Sequence, residues 1–297
     1  MKNQRLAYVY GLAAVLLWST MASAFKLSLR VLTPVELLLY AVLTSCGVLF
    51  AMLCLQGKLT LLKQLSWRDL RPSLGLGLLN PVLYYLILFK AYDLLPAQQA
   101  QPLNYTWAIT LSLLSIPLLG QKVSRRELLA IAISYLGVVV ISTKGSLLAL
   151  RFESPFGVAL ALISTIFWAL YWIYNARDER DPVLGLFLNF ICGLPLIFLS
   201  LLVTEPLRLP PVSGLLGAGY IGLFEMGITF VFWLKAMKLS INSARIANLI
   251  FLSPFLSLVF IHFLVGEEIL PATLVGLALI VCGVLVQQWR GKRHVND

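Results

Sequence analysis

Charged residues are scarce in this chain of 297 residues: they make up 12% of it, and aspartate and glutamate together supply 13 positions. An ordinary soluble domain carries roughly 25% charged residues. A soluble fold of this length could not hide the 60% of residues that are hydrophobic. The shortage of charge therefore argues against a soluble globular protein.

The usual ligands of metals and cofactors are also sparse. His262 and His294 are the two histidines, and the four cysteines fall inside apolar runs without the paired spacing of a metal site. No phosphate-cradling glycine loop followed by a lysine is present, which argues against an ATP-driven pump. We therefore expect no metal site and no cofactor.

Long apolar runs are what the chain has in abundance. Each is about 20 residues long, enough to cross a hydrocarbon layer of roughly 30 Å as a helix. The sequence predicts an all-α integral membrane protein with ten transmembrane helices and little chain outside the bilayer. The predicted spans are 6–26, 33–56, 70–92, 96–119, 125–144, 155–175, 183–203, 213–237, 243–264 and 270–290.

The basic residues give the chain a net charge of +10, but they are scattered singly or in pairs between the apolar runs. This pattern favours a topology signal and argues against a nucleic-acid partner. Most lysines and arginines fall on the cytoplasmic side if the N-terminus is cytoplasmic. We expect a multi-pass protein of the cell inner membrane with both termini in the cytoplasm.

The two halves of the sequence repeat. Because each half holds five predicted spans, an odd number, the second copy would enter the membrane the other way up. The first run, ending at Ala22-Ser23-Ala24, also resembles a cleavable signal peptide, but it has a counterpart in the second half. The matched positions are Lys90-Ala91 with Lys235-Ala236, Gly120 with Gly266, Gly137-Val138 with Gly283-Val284, and Trp18 with Trp168. Residues 1–150 and 151–297 are thus predicted to be inverted repeats around a central cavity that opens alternately to each side.

Glu225 is the carboxylate predicted to lie well inside a span. An acidic group at that depth usually faces a cavity or a partner, because its insertion is costly. Its counterpart in the first repeat is Asn80, beside Pro81. Glu225 either makes a structural hydrogen bond across helices, lies at a misplaced span boundary, contacts a solute ammonium group, or carries a coupling proton.

Aromatic and amide side chains supply the other candidate binding residues. Trp168, Tyr171, Trp172 and Asn175 have the spacing of one helical face, which is typical either of packing or of a cavity wall. Such walls suit a flat or amphipathic solute. The predicted solute-binding set is Trp18, Asn80, Tyr84, Asn104, Tyr105, Trp107, Trp168, Tyr171, Trp172, Asn175, Glu225 and Ser253.

Charged residues at the span ends have a simpler interpretation. Lys26, Lys90 and Lys235 are expected to snorkel toward the membrane surface. Glu267 and Glu268, which follow the ninth span, are expected to be solvated.

Several short motifs, in order along nearly the whole chain, resemble the EamA branch of the drug/metabolite transporter superfamily. In the second half these are Ser253-Pro254, Gly266-Glu267, Gly276 and Gly283. Four further motifs resemble the aromatic amino-acid exporters of the YddG type: Leu16-Leu17-Trp18-Ser19-Thr20-Met21, Asn104-Tyr105-Thr106-Trp107, Gly120-Gln121-Lys122 and Trp168-Ala169-Leu170-Tyr171.

The resemblance implies an inverted-repeat basket, a central cavity lined by Tyr105, Trp107 and Trp168, and export of amino acids or related metabolites. The chain departs from these exporters at Ala108, where they have proline, and at Glu225, where they have no acidic residue. A cationic solute would account for Glu225 better.

The sequence therefore favours a secondary transporter that exports aromatic or other amphipathic amino acids, or related metabolites, with a proton as the possible coupling ion. A broad exporter of cationic drugs or metabolites is the alternative. A non-transporting intramembrane enzyme or scaffold is the hypothesis from another class. The expected partners are a small-molecule solute and the lipid bilayer, and the sequence sets no oligomeric state.

Overall fold

The computed structural model describes residues 2–119, 125–146, 154–175, 177–206, 208–240, 246 and 248–288. Within these ranges the regular structure is helical and includes no strand. The Gly120-Gln121-Lys122 motif, Arg151, Arg245 and the basic C-terminal residues Arg290, Lys292 and Arg293 lie outside the described residues.

The described helices begin and end within three residues of the predicted spans, except that the ninth, predicted from residue 243, is described from Leu249. A short helix, Leu59–Lys63, joins the second to the third. The bounds of the longer helices are α1 Gln4–Ser28, α2 Pro34–Leu55, α3 Trp67–Leu94, α4 in two pieces Ala97–Asn104 and Trp107–Leu119, α5 Arg125–Ser142, α6 Pro155–Asn175, α7 Pro182–Thr204, α8 Val212–Met237, α9 Leu249–Val265 and α10 Pro271–Gln288. Six of them (α1, α2, α3, α6, α7 and α8) are long and apolar enough to cross a membrane, and α5, α9 and α10 contain shorter apolar stretches. The chain is a multi-pass membrane protein.

Local sequence signals start several of these helices. Thr33 and Glu36 form a reciprocal capping box ahead of Pro34, which satisfies backbone donors that the first turn of α2 leaves free. Asp181 does the same for α7, since its Oδ1 accepts from Val183 N at 3.1 Å and Leu184 N at 3.2 Å. Polar caps thus mark where the chain leaves a loop and enters an apolar helix.

Helices α3 and α8 depart from a regular α-helix at the positions that the sequence pairs between its halves. In α3 the departure is a kink within Leu78–Leu83, where two helical pieces meet and Asn80 has the non-helical angles φ −146° and ψ 112°. In α8 it is a π-helical turn, Phe224–Ile228, which contains Glu225. π-Helical turns are rare and often occur at functional sites.

The most extensive contacts between described helices all join the first half of the chain to the second. Helix α1 packs on α8 and α9, and α6 packs on α3 and α4. Helix α2 packs on α7 and α8, and α7 packs on α2 and α3, while α5 packs on α10. These helix pairs are symmetric between the halves. If α1 to α5 are exchanged with α6 to α10 in order, every contacting pair becomes another contacting pair or itself; the α1–α8 contact, for example, corresponds to the α6–α3 contact.

Small residues allow α5 and α10 to approach closely. A Cβ added at Gly137 would overlap the backbone oxygen of Gly276, and one added at Gly283 would overlap Ser134 and the backbone of Ala130. Between membrane helices, where lipid removes the usual hydrophobic drive, close contact of this kind is a main source of association.

Candidate solute-binding cavity

A cavity of about 290 Å³ lies among α1, α3, α4, α6, α8 and α9. Eight of the twelve predicted residues line it: Trp18, Tyr84, Asn104, Tyr105, Trp107, Trp168, Trp172 and Glu225. Residues from both halves of the chain therefore meet around one space. Its volume is near the lower end of small-molecule sites, which span about 300–1,000 Å³.

Glu225 is the one carboxylate among the described residues of this lining. The π turn of α8 carries it, and the Tyr85 hydroxyl on α3 donates a hydrogen bond of 3.2 Å to its Oε1. Tyr85 is its one hydrogen-bond partner within the described ranges. Placing a carboxylate at membrane depth costs about 2.5–3.5 kcal/mol on insertion scales, so a residue in this position normally has a function.

Aromatic rings form walls on two sides of the cavity. Tyr84 and Trp168 stack with ring centroids 4.5 Å apart and planes 25° apart. On another side, Trp18 lies 5.5 Å from Trp233 and meets Phe230 edge to face at 5.8 Å. Ring pairs at these separations hold one another in place, so the walls are ordered before a solute binds.

Asn104 supplies a neutral polar group between these walls. Its Oδ1 accepts a hydrogen bond of 3.3 Å from the Tyr84 hydroxyl, and its Nδ2 donates to Ser164 Oγ at 3.0 Å. The amide thereby links α3, α4 and α6 and leaves a polar edge in the lining. α4 ends its first piece at Asn104, and the chain restarts as a helix at Trp107.

Four predicted residues lie outside this cavity. Asn80 is 1% exposed at the kink of α3, and Ser253 is 1% exposed where it accepts a hydrogen bond of 3.3 Å from Ser19 Oγ between α1 and α9. Tyr171 and Asn175 line a second cavity of about 220 Å³, which also has Trp172 in its wall. Because four positions at i, i+3, i+4 and i+7 form a wide stripe, α6 presents them to two different spaces.

The structure adds lining residues that the sequence did not single out, including Phe25, Tyr92, Gln101, Phe230, Trp233 and Phe251. Trp233 occupies the repeat position equivalent to Leu88, which also lines the cavity. The repeat that pairs Lys90 with Lys235 could have identified this tryptophan.

One end of the bundle, here called the Asp181 end, carries the second cavity. This cavity shares Trp172 and Phe230 with the first and is bordered by Asp178, Arg180 and Asp181. The two cavities are therefore neighbours. The second cavity extends from the first toward the loop between α6 and α7.

Charged groups at the Asp181 end fix that loop. The Arg180 guanidinium binds both carboxylate oxygens of Asp178 at 2.8 and 2.6 Å and donates to Ser73 Oγ at 2.8 Å. This guanidinium holds the pKa of Asp178 below its usual range. Lys58 Nζ lies 2.6 Å from Asp181 Oδ2, which links the α2–α3 connection to the start of α7.

The opposite end, here called the Glu267 end, is closed by bonds within the first half and by bonds between the halves. Lys26 Nζ donates to Tyr92 O and Leu95 O, each at 2.7 Å. The Glu267 carboxylate accepts from Ala97 N at 2.8 Å and Gln98 N at 3.0 Å. The expectation that Glu267 is solvated was therefore wrong. Its carboxylate binds the first turn of α4, because the N–H groups there have no partner within the helix and attract a negative charge.

In a multi-pass helical chain, an aromatic cavity lined by described residues of both halves and carrying the carboxylate of Glu225 indicates a protein of the membrane-transporter class. This chain belongs to the EamA-like transporter family, which matches residues 5–143 and again residues 155–287. The wider drug/metabolite transporter superfamily is thereby supported. The assignment confirms a transporter and not an enzyme.

Known relatives agree with this assignment. An "Uncharacterized transporter" of Archaeoglobus fulgidus is 23% identical over 278 residues, which cover 92% of this chain and 95% of that protein. The Escherichia coli K12 protein named "Uncharacterized inner membrane transporter YedA" is 26% identical over 172 residues, covering 57% of this chain and 55% of the relative. One crystal structure has a TM-score of 0.65 and 25% identity, covering 96% of this chain and 97% of that one.

Proposed function

We propose that this protein is a secondary transporter that exports aromatic or other amphipathic amino acids, or related small metabolites, across the cell inner membrane by alternating access. The observation that carries the proposal is the aromatic cavity between the two halves of the chain, with Glu225 in its wall. Aromatic faces bind a flat or apolar solute body, and a few placed polar groups orient it.

The proposed architecture is ten transmembrane helices in two inverted five-helix repeats, residues 1–150 and 151–297. Three observations support it: the family matches twice along the chain, the helix contacts recur when each helix number is raised by five, and the kink at Asn80 and the π turn at Glu225 occupy equivalent positions. Inverted repeats of this kind place the solute site between the halves.

The proposed orientation has both termini, and hence the Asp181 end, in the cytoplasm. The excess of lysine and arginine in the corresponding sequence segments supports it. The second cavity would then lead from the cytoplasm to the solute site, and the bonds made by Lys26 and Glu267 would close the far side.

In this mechanism a solute enters past Trp172 and Phe230, which border both cavities. Its ring or apolar body lies against Trp168 and its amine faces Glu225. Release requires the bonds at the Glu267 end to break while the Asp181 end closes. Glu225 exchanges the amine for a proton on the return step, so the proton gradient supplies the energy.

The test is counterflow in proteoliposomes with a panel of amino acids, amines and neutral metabolites. We expect wild-type protein to move at least one panel member, and Trp168→Ala to reduce that rate at least tenfold, because the variant removes one face of the cavity. Trp67→Ala is the matched control, since Trp67 is exposed at the start of α3. No transport of any panel member, or equal rates in wild type and Trp168→Ala, would refute the proposal.

A further inference from the structure

The described lining of the cavity contains a negative group and no positive one. Glu225 is its carboxylate, and no lysine, arginine or histidine occurs among the described lining residues. The Tyr85 hydroxyl supplies Glu225 with one hydrogen bond but no balancing charge. When this carboxylate is ionised, its counter-ion has to come from outside the described protein groups, and when no cation is bound a proton can neutralise it instead.

The nearby lysines are directed elsewhere. The ammonium group of Lys26 is engaged by two backbone oxygens at the Glu267 end. Lys90 pairs with Asp93 at 2.7 Å, and the Lys235 ammonium lies 5.4 Å from the centroid of the Tyr10 ring. None of these three amines is placed to neutralise a solute carboxylate in the cavity.

The negative charge of the cavity should distinguish an amino acid from the corresponding amine, which lacks the carboxylate. A zwitterionic amino acid would bring its own carboxylate into a small space that already holds Glu225. Two carboxylates at close range in a poorly solvated site repel each other, and the second would lose its hydration without a partner. The corresponding amine brings the positive charge alone.

The aromatic walls favour the same choice. Tyr84 and Trp168 stack on one side, and Trp18 and Trp233 lie together on another. The faces of indole and phenol rings attract cations, most strongly where water is excluded. A cavity with several such faces and one carboxylate has two independent means of holding an ammonium group.

This inference rests on the transport function proposed above and selects the related metabolites over the amino acids themselves: we propose that the solute is an organic cation, a protonated or quaternary amine with an aromatic or apolar body and no carboxylate. Its ammonium group contacts Glu225 and the neighbouring ring faces. Its body fills the apolar remainder of the cavity.

The test uses three matched pairs that differ only in the carboxylate: tyramine with tyrosine, tryptamine with tryptophan, and phenethylamine with phenylalanine. Counterflow is measured with wild-type protein in proteoliposomes. A quaternary analogue, N,N,N-trimethylphenethylammonium, is added as a competitor. We expect each amine to be moved at least tenfold faster than its amino acid, and the competitor to inhibit.

Two variants connect this preference to Glu225. Glu225→Gln keeps the shape and removes the charge, so the amine rate should fall at least tenfold while any amino-acid rate stays level or rises. Glu268→Gln makes the same chemical change at an exposed position and should leave both rates unchanged. Glu225→Asp keeps the charge and should retain part of the amine preference even if Glu225→Gln folds poorly.

The outcomes separate the two proposals. Amino acids moved as fast as their amines, or an amine preference that survives in Glu225→Gln, would overturn the cation proposal and leave transport intact. No movement of any amine, amino acid or neutral metabolite would overturn the transport function itself.

Discussion

The Tyr85 hydroxyl and the Glu225 carboxylate join the two halves of the chain across a hydrogen bond of 3.2 Å. Glu225 lies in the π turn of α8, and Tyr85 lies two residues after the kinked segment Leu78–Leu83 of α3. Tyr85 is buried and packs on Phe89, so its hydroxyl has little freedom to turn away. The carboxylate therefore has a fixed position at the wall of the cavity.

Tyr85→Phe removes this donor and keeps the ring. Hydrogen bonds to charged groups are worth roughly 1.5–3 kcal/mol, so we expect affinity for a transported amine to fall about tenfold or more. Tryptophan fluorescence titration in detergent measures the affinity. Tyr135→Phe, on α5 and away from the cavity lining, should bind normally; equal affinity in the two variants would contradict the assigned role of Tyr85.

Gly137→Ala should destabilise the protein by about 1–3 kcal/mol, because its new methyl group would overlap the Gly276 backbone and force α5 from α10. Gly47→Ala is the matched control, since nothing lies within 4 Å of its added Cβ. In a helix that change should be neutral or stabilise by up to about 1 kcal/mol. Thermal unfolding in detergent compares them, and equal melting temperatures would disprove tight packing of α5 on α10.

Glu267→Ala removes the carboxylate that caps α4 at the Glu267 end. Loss of a helix cap costs about 0.5–2 kcal/mol, which shifts the balance toward a form open at this end by roughly 2- to 30-fold. A cysteine placed at Leu88 in a cysteine-free background reports the opening through its rate of labelling by an impermeant maleimide from that side. In the control variant Glu268→Ala, the cysteine at position 88 should be labelled at the wild-type rate. A wild-type labelling rate in Glu267→Ala would show that the Glu267 carboxylate does not close this end.

The ion pair of Asp178 and Arg180 should give the Asp181 end a pH-dependent stability. Because Arg180 lowers the pKa of Asp178 in the folded protein, the pair stabilises at pH 7 and its contribution is lost as the pH falls through that lowered pKa. Asp178→Asn should therefore cost roughly 1 kcal/mol at neutral pH and nothing in strong acid.

Thermal unfolding from pH 7 down to about pH 2, which extends well below the ordinary pKa of an aspartate, checks this difference. The control is Asp93→Asn, whose pair with Lys90 is more exposed and should contribute less at every pH. A constant gap between Asp178→Asn and wild type across the range would rule out the linkage.

The helices could be predicted from the sequence because an apolar run of this length has essentially one solution in hydrocarbon, a helix that satisfies its own backbone groups. The predicted bounds therefore agree with the helices within a few residues. Breaks inside a helix gave a weaker signal, because a proline such as Pro81 or Pro102 can also be accommodated within a continuous membrane helix. The interruption of α4 between Asn104 and Trp107 falls in a run whose side chains would also suit a continuous helix.

The cavity lining was predicted only in part, because an irregular turn within a helix changes which residues share a face. A helical face is read from a constant 3.6-residue period, and the π turn at Phe224–Ile228 changes the phase of everything that follows it. Phe230 and Trp233 lie after this turn, and both line the cavity although neither was predicted. Trp168 and Trp172 lie in a regular stretch of α6, where the period served well.

The pattern of helix contacts limits how such a chain can be divided. Because the extensive described interfaces all run between the halves, a half made alone would leave the glycine face of α5, and the matching sides of α1 and α2, against lipid. Each half therefore supplies the surface against which the other half packs. Two halves produced as separate polypeptides should therefore accumulate in the membrane only when they are made together.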